Sequence, residues 1–197
     1  MCKLIKTILI FALPSITTVL SPQLSAGTDS STEEYLTRSG KAILITESHP
    51  VGQSLSDITI KSSGFEHNLL ETFNDLDPIK NVHIADLDKN GFDELYINTI
   101  SSGSGSYGNI IAFASNRDKS LSMIHFPEIE EGDERFTGYM GHDHFQISEN
   151  VLIRSFPIYL SSDNNTNPTG GKRTIAYGLF PGEASWQLKI VDSSHIR

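Results

Sequence analysis

Cysteine is nearly missing from this sequence: Cys2 is the only one in 197 residues. A thiol nucleophile, a cysteine metal cage and an internal disulfide are therefore excluded from everything after the second residue. Positive charge is scarce as well, with 15 Lys and Arg against 24 Asp and Glu and a formal charge of −9. Such a surface repels nucleic acid and anionic lipid and favours a cationic partner. No Gly-x-Ser-x-Gly elbow is present, so the strand-turn-helix nucleophile of the hydrolases is absent. No helical periodicity runs long enough for βαβ units, and no repeat or linker divides the chain.

What is there begins with an export pattern. Met1-Cys2-Lys3-Leu4-Ile5-Lys6 is a short basic start, and Thr7 opens an apolar run that continues more weakly to Leu20. Ser21-Pro22-Gln23-Leu24-Ser25-Ala26 then supplies small and helix-breaking residues before Gly27. That is the layout of a secretory signal peptide over 1–26, with cleavage after Ala26. Pro14, Ser15, Thr17 and Thr18 break the run below the roughly 18 apolar residues a membrane span needs. Removing Lys3 and Lys6 leaves 13 basic residues against 24 acidic, a charge of −11. Export without cysteine suits the periplasm of a Gram-negative bacterium, with no membrane attachment after cleavage. The polar, acidic stretch 27–40 is expected to be a flexible leader, and 41–197 a single domain.

From Lys41 onward the pattern is short and strand-like. Apolar or alternating runs fall at 42–46, 57–61, 81–86, 94–100, 109–114, 121–126, 151–160, 174–180 and 186–191. Runs of this length, parted by turn residues, predict an all-β fold: a single antiparallel β-sandwich-like domain with short hairpins and long functional loops. Residues 66–73 fit either helical turns or a further strand. Phe145, Phe156, Tyr159, Tyr177 and Trp186 are assigned to the core.

Three constellations could carry chemistry. Gly103-Ser104-Gly105-Ser106-Tyr107-Gly108 has the spacing of a dinucleotide fingerprint, but that motif needs a helix next. The β-branched run from Asn109 to Ala114 predicts a strand instead, so the match is set aside. The same residues make better sense as a long hairpin loop between two strands, and long loops are more often functional. Tyr107 is its only large side chain among small ones, a composition suited to a binding anchor. The plainer reading is a flexible loop with Tyr107 folded back onto the sheet.

The second constellation is Asp86-Leu87-Asp88-Lys89-Asn90-Gly91-Phe92-Asp93-Glu94. Asp86, Asp88, Asn90 and Glu94 offer oxygens at alternate positions, as a calcium loop would. Lys89 within the loop argues against it, and an Asn-Gly hairpin without metal explains the same residues. The third is His142-Asp143-His144, which lacks an identifiable third ligand for zinc and is assigned to a solvated loop. The acidic run from Glu128 to Glu134 is likewise taken as solvated.

Ser104-Gly105-Ser106-Tyr107 fits Ser-Gly-x-Tyr, the pattern carried by bacterial periplasmic lysozyme inhibitors. The wider segment, from Ile84-Ala85-Asp86-Leu87-Asp88 through Glu94-Leu95-Tyr96 to Gly108-Asn109, resembles the inhibitors of invertebrate-type (i-type) lysozyme in particular. The resemblance covers the central third of the chain, and the remainder only in general character. It implies a β-sandwich-like homodimer that blocks i-type lysozyme and is not itself an enzyme. It implies further that Ser104, Gly105 and Tyr107, with Gly103, Ser106 and Gly108 around them, enter the lysozyme cleft. The alternative is a calcium-binding β-module similar to the integrin repeats, used for adhesion or surface binding. A glycoside-binding or glycoside-hydrolysing domain is a third reading, and it would need two carboxylates facing each other across a cleft.

Overall fold

A computed structural model describes residues 29–196 of the chain. The signal peptide expected over 1–26 lies outside the described residues. Twelve strands and one 3₁₀ turn make up the described part, and among these residues no helix is long and apolar enough to cross a membrane.

The strands form two sheets. β1 (Asp29–Leu36), β2 (Ala42–His49), β3 (Ser56–Ser63) and β4 (Leu70–Leu76) make a four-stranded antiparallel meander. The second sheet contains β5 (Ile79–Ala85), β6 (Glu94–Ile100), β7 (Gly108–Ser115), β8 (Leu121–His125), β9 (His144–Ser148), β10 (Val151–Pro157), β11 (Lys172–Pro181) and β12 (Trp186–Ile196). Its order is β5-β6-β7-β8-β12-β11-β10-β9. Every pairing is antiparallel except β8 with β12, where Trp186 and Gln187 run parallel to Ile124 and His125. The eight strands curl until the sheet is nearly a barrel, with β5 and β9 at the two edges of the seam.

Alternation along the strands explains both layers. On β6, Leu95 and Ile97 face outward and join Ile43, Ile45, Ile58 and Ile60 of the small sheet. That cluster is the sandwich predicted from the sequence. Tyr96 points the other way, into the curl, where it packs with Leu152, Phe156, Ile175, Tyr177 and Leu188. β6 is thus covered on both faces, which is why Leu95, Tyr96 and Ile97 form a continuous apolar run rather than alternating with polar residues. Fully burying one such side chain contributes about 1.5–3 kcal/mol. Phe145, Phe156, Tyr159 and Tyr177 are all buried as expected, and Trp186 packs partly buried at the margin of the inner cluster.

One expectation needs correction, and one segment left open is decided. The flexible leader over 27–40 does not hold from Asp29 onward, because Asp29–Leu36 pairs in register with β2 along its whole length. Its side chains are almost all exposed, so only backbone bonds, a Thr32–Thr46 hydroxyl contact and Tyr35 on the core hold it. The open segment 66–73 resolves into a loop followed by β4. The expected all-β, antiparallel sandwich-like fold holds, and the larger sheet departs from it only where the curl brings β8 parallel to β12.

Candidate functional site

The loop joining β6 to β7 carries Ser104-Gly105-Ser106-Tyr107 at one end of the barrel. The strand that follows begins at Gly108, so no helix receives a pyrophosphate and the dinucleotide spacing has no structural counterpart. Gly103 and Ser104 are exposed, and Gly105 and Ser106 are half-buried. Tyr107 stands 49% exposed, with its ring edge-on to Tyr139 at 5.7 Å between centroids. It therefore neither floats free nor folds into the core, but projects from an aromatic base.

The loop is braced from inside. Ser106 N–H donates to Gly103 O at 3.0 Å, and Ser101 N–H donates to Tyr107 O at 2.9 Å. Tyr107 N–H donates to Ser101 Oγ at 2.8 Å. Ser106 sits at φ 44°, a left-handed conformation that a residue with a Cβ adopts only when its surroundings impose it.

The surroundings come from the segment 138–143. His142 N–H donates to Gly105 O, and Asp143 N–H donates to Ser106 O at 3.3 Å. Gly141 makes this approach feasible: at φ +86°, a Cβ on it would lie 2.0 Å from Gly105 O. Gly108 is equally confined, since a Cβ there would meet Phe145 at 2.7 Å and Asp143 at 2.8 Å.

Below the loop lies a buried ion pair. Asp143 and Arg154 are both out of water, joined at 2.7 Å from Nε to Oδ1 and 2.9 Å from Nη2 to Oδ2. The second Asp143 oxygen also accepts Gly108 N–H at 2.8 Å and the Tyr139 hydroxyl at 2.5 Å. The Arg154 guanidinium lies 4.9 Å from the Tyr139 ring centre and within 6.0 Å of Phe136, Phe145 and Phe156. Burial alone would lower the Arg154 pKa, but the hydrogen bonds and charge of Asp143 outweigh it and hold it raised. Burial, then the bond to Asp143, raises the Tyr139 phenol. A charge pair with this many partners is matched, and removing one member would strand the other. The predicted site residues thus come together as one loop. The residues that support it (Tyr139, Gly141, Asp143 and Arg154) were not singled out from the sequence as its support. Arg154 was legible in principle, because alternation puts Leu152, Arg154 and Phe156 on one face.

At the opposite end of β6, the candidate calcium residues fall at the β5–β6 turn. Asp86 and Glu94 are buried and Asp88 half-buried, and an oxygen from each lies within 4.8 Å of the other two. Burial pushes the Glu94 carboxyl up to about 8; the Leu87 N–H bond opposes this, and Asp88 and Asp86 add to it. The Asn90 side chain is used within the turn, accepting Phe92 N–H at 2.8 Å and donating to Asp88 at 2.9 Å. Lys89 is exposed at φ 60°, and no salt bridge joins it to the cluster among the described residues. The zinc idea at His142 and His144 has a different outcome: the residue between them serves the ion pair, and His142 stacks on Tyr159.

No protein-family model, curated protein or solved structure matches this chain significantly.

Proposed function

We propose that this chain is a periplasmic inhibitor of i-type lysozyme, acting by inserting Ser104-Gly105-Ser106-Tyr107 into the enzyme's cleft. The observation that carries the reading is the bracing of the loop: a short stretch of small residues, held in one shape from below, presenting Ser104 and Tyr107 to solvent. A binding loop that is already in its bound shape avoids most of the ordering cost of association. Lysozyme clefts hold two carboxyl groups, one protonated and one ionised. Hydroxyl groups suit that pair, because each can donate to the ionised acid and accept from the protonated one. Small residues on either side let the backbone follow a groove built for a sugar chain. The acidic surface, −9 over the whole chain, would speed encounter with a basic enzyme at low salt.

In this reading the protein protects bacterial peptidoglycan by binding alone and performs no reaction. The homodimer implied by the resemblance belongs to the same proposal. The test is cell-wall lysis by i-type, chicken-type and goose-type lysozymes, each titrated with the purified protein. Stoichiometric loss of i-type activity, with the other two spared, is the expected result. Full lysis by all three at tenfold excess would sink the proposal. Light scattering on the same sample would read one chain mass or two.

A further inference from the structure

Three carboxylates meet at the end of the barrel away from the Ser-Gly-Ser-Tyr loop, and their charges are not matched. Asp86, Asp88 and Glu94 each offer an oxygen within 4.8 Å of the others. The only cation paired nearby among the described residues is Arg38, which is 68% exposed. It reaches Asp86 at 3.7 Å and Asp93 at 3.4 Å. Glu94 is 1% exposed. Its Oε2 accepts Leu87 N–H at 2.8 Å and the Tyr96 hydroxyl at 3.3 Å. Its Oε1 is buried with no hydrogen-bond partner among the described residues. A buried acceptor left unsatisfied beside two more carboxylates calls for a positive ligand.

The turn is shaped to present these oxygens. Asn90 N–H donates to Asp86 at 3.0 Å and Asp88 at 3.1 Å, and Gly91 N–H donates to Asp86 at 2.9 Å. Gly91 at φ +90° turns the chain so that both amides point inward. The donors are all oxygen, without histidine or cysteine, which selects a hard divalent cation. Calcium accepts an irregular cage of carboxylates and carbonyls, whereas magnesium demands a near-octahedral one. The site also touches the seam of the curled sheet. Asp86 O accepts the Asn150 side-chain amide at 2.8 Å, from the β9–β10 turn across the gap between β5 and β9.

We infer that Asp86, Asp88 and Glu94 bind a calcium ion that satisfies the stranded Glu94 oxygen and clamps the β5–β6 turn onto the open seam of the barrel. This site is independent of lysozyme inhibition, and it makes calcium a structural ligand rather than part of the binding loop.

Thermal unfolding followed by circular dichroism tests it, in EDTA and then in millimolar calcium chloride, with magnesium chloride for comparison. The wild type should gain roughly 5 °C or more in calcium, and less in magnesium. Asp88→Asn, at the half-buried rim, and Glu94→Gln should both lose the calcium gain. No gain in the wild type, or an equal gain in Asp88→Asn, would overturn the inference. Should Glu94→Gln fail to fold, terbium bound to the wild type decides. Its emission, sensitised by Tyr96 and displaced by calcium, is the expected signal, and its absence is contrary.

Discussion

The two ends of β6 handle buried charge in opposite ways. Beyond Ile100, Asp143 is buried against Arg154, and each of its oxygens is bonded. At Glu94, a carboxyl equally far from water has one oxygen bonded and one without a partner among the described residues. The first end is complete as built, and its completeness holds a binding loop in shape. The second is complete only with a positive ion or a proton. Matched burial makes a rigid platform, whereas unmatched burial makes a site.

The comparison can be broken first at its strongest point. Asp143→Ala would leave Arg154 buried without its partner, and should cost about 3–5 kcal/mol in chemical unfolding. A cost below about 1 kcal/mol would show that the pair does not brace this end. Gly141→Ala leaves the ion pair intact but drives a Cβ into Gly105 O from a left-handed backbone position. Strain and clash together should cost about 1–3 kcal/mol, with weakened lysozyme inhibition although no loop residue is changed. Unchanged inhibition in a folded Gly141→Ala protein would mean the loop does not need the brace.

The seam offers a smaller effect. Burial, aided by the charge of His144, lowers the pKa of His83 on β5 below its ordinary 6.5. The unfolded chain therefore takes up this proton first as the solution is acidified. Stability from this group is present above pH 6.5 and lost below it, by up to about 1.4 kcal/mol per pH unit. Wild type should lose more stability than His83→Gln between pH 7 and 5.5, and parallel curves would remove His83 from the seam. The smallest effect belongs to Glu94→Gln in EDTA. The wild-type carboxyl is pushed up to about 8 and is largely protonated at pH 7. A neutral amide of the same shape should then shift stability by less than about 1 kcal/mol, in contrast with Asp143→Ala.

Strands buried on both faces were the easiest to read. The centres of β6 (95–97) and β7 (110–114) show as apolar runs because one face meets the small sheet and the other the inside of the curl. β1 was not legible, since an exposed edge strand is held by backbone bonds that leave no apolar pattern. β9 escaped notice as well; it is short, and His142 precedes it in a left-handed turn that resembles loop sequence. The parallel meeting of β8 with β12 joins residues about sixty apart, which no local pattern encodes. The loop itself was legible because small residues interrupt two clear strands. Its brace was not, because Asp143 lies 35 residues beyond Gly108 and Arg154 eleven further on. Among the acids at 86–94, spacing suggested the oxygens, but only the folded arrangement separates buried Glu94 from exposed Lys89.

The central claim is that the braced loop, and Tyr107 above all, is what engages lysozyme. The most direct measurement is inhibition of i-type lysozyme by Tyr107→Ala beside the wild type, with thermal unfolding of both. Tyr107 is half-exposed, edge-on to Tyr139 and otherwise beside the glycines Gly105 and Gly141, so folding should survive with a loss of about 0.5–1.5 kcal/mol. Inhibition should weaken by about 2 kcal/mol or more, roughly thirtyfold, as for a central anchor. A folded Tyr107→Ala protein that inhibits as strongly as the wild type would contradict the account.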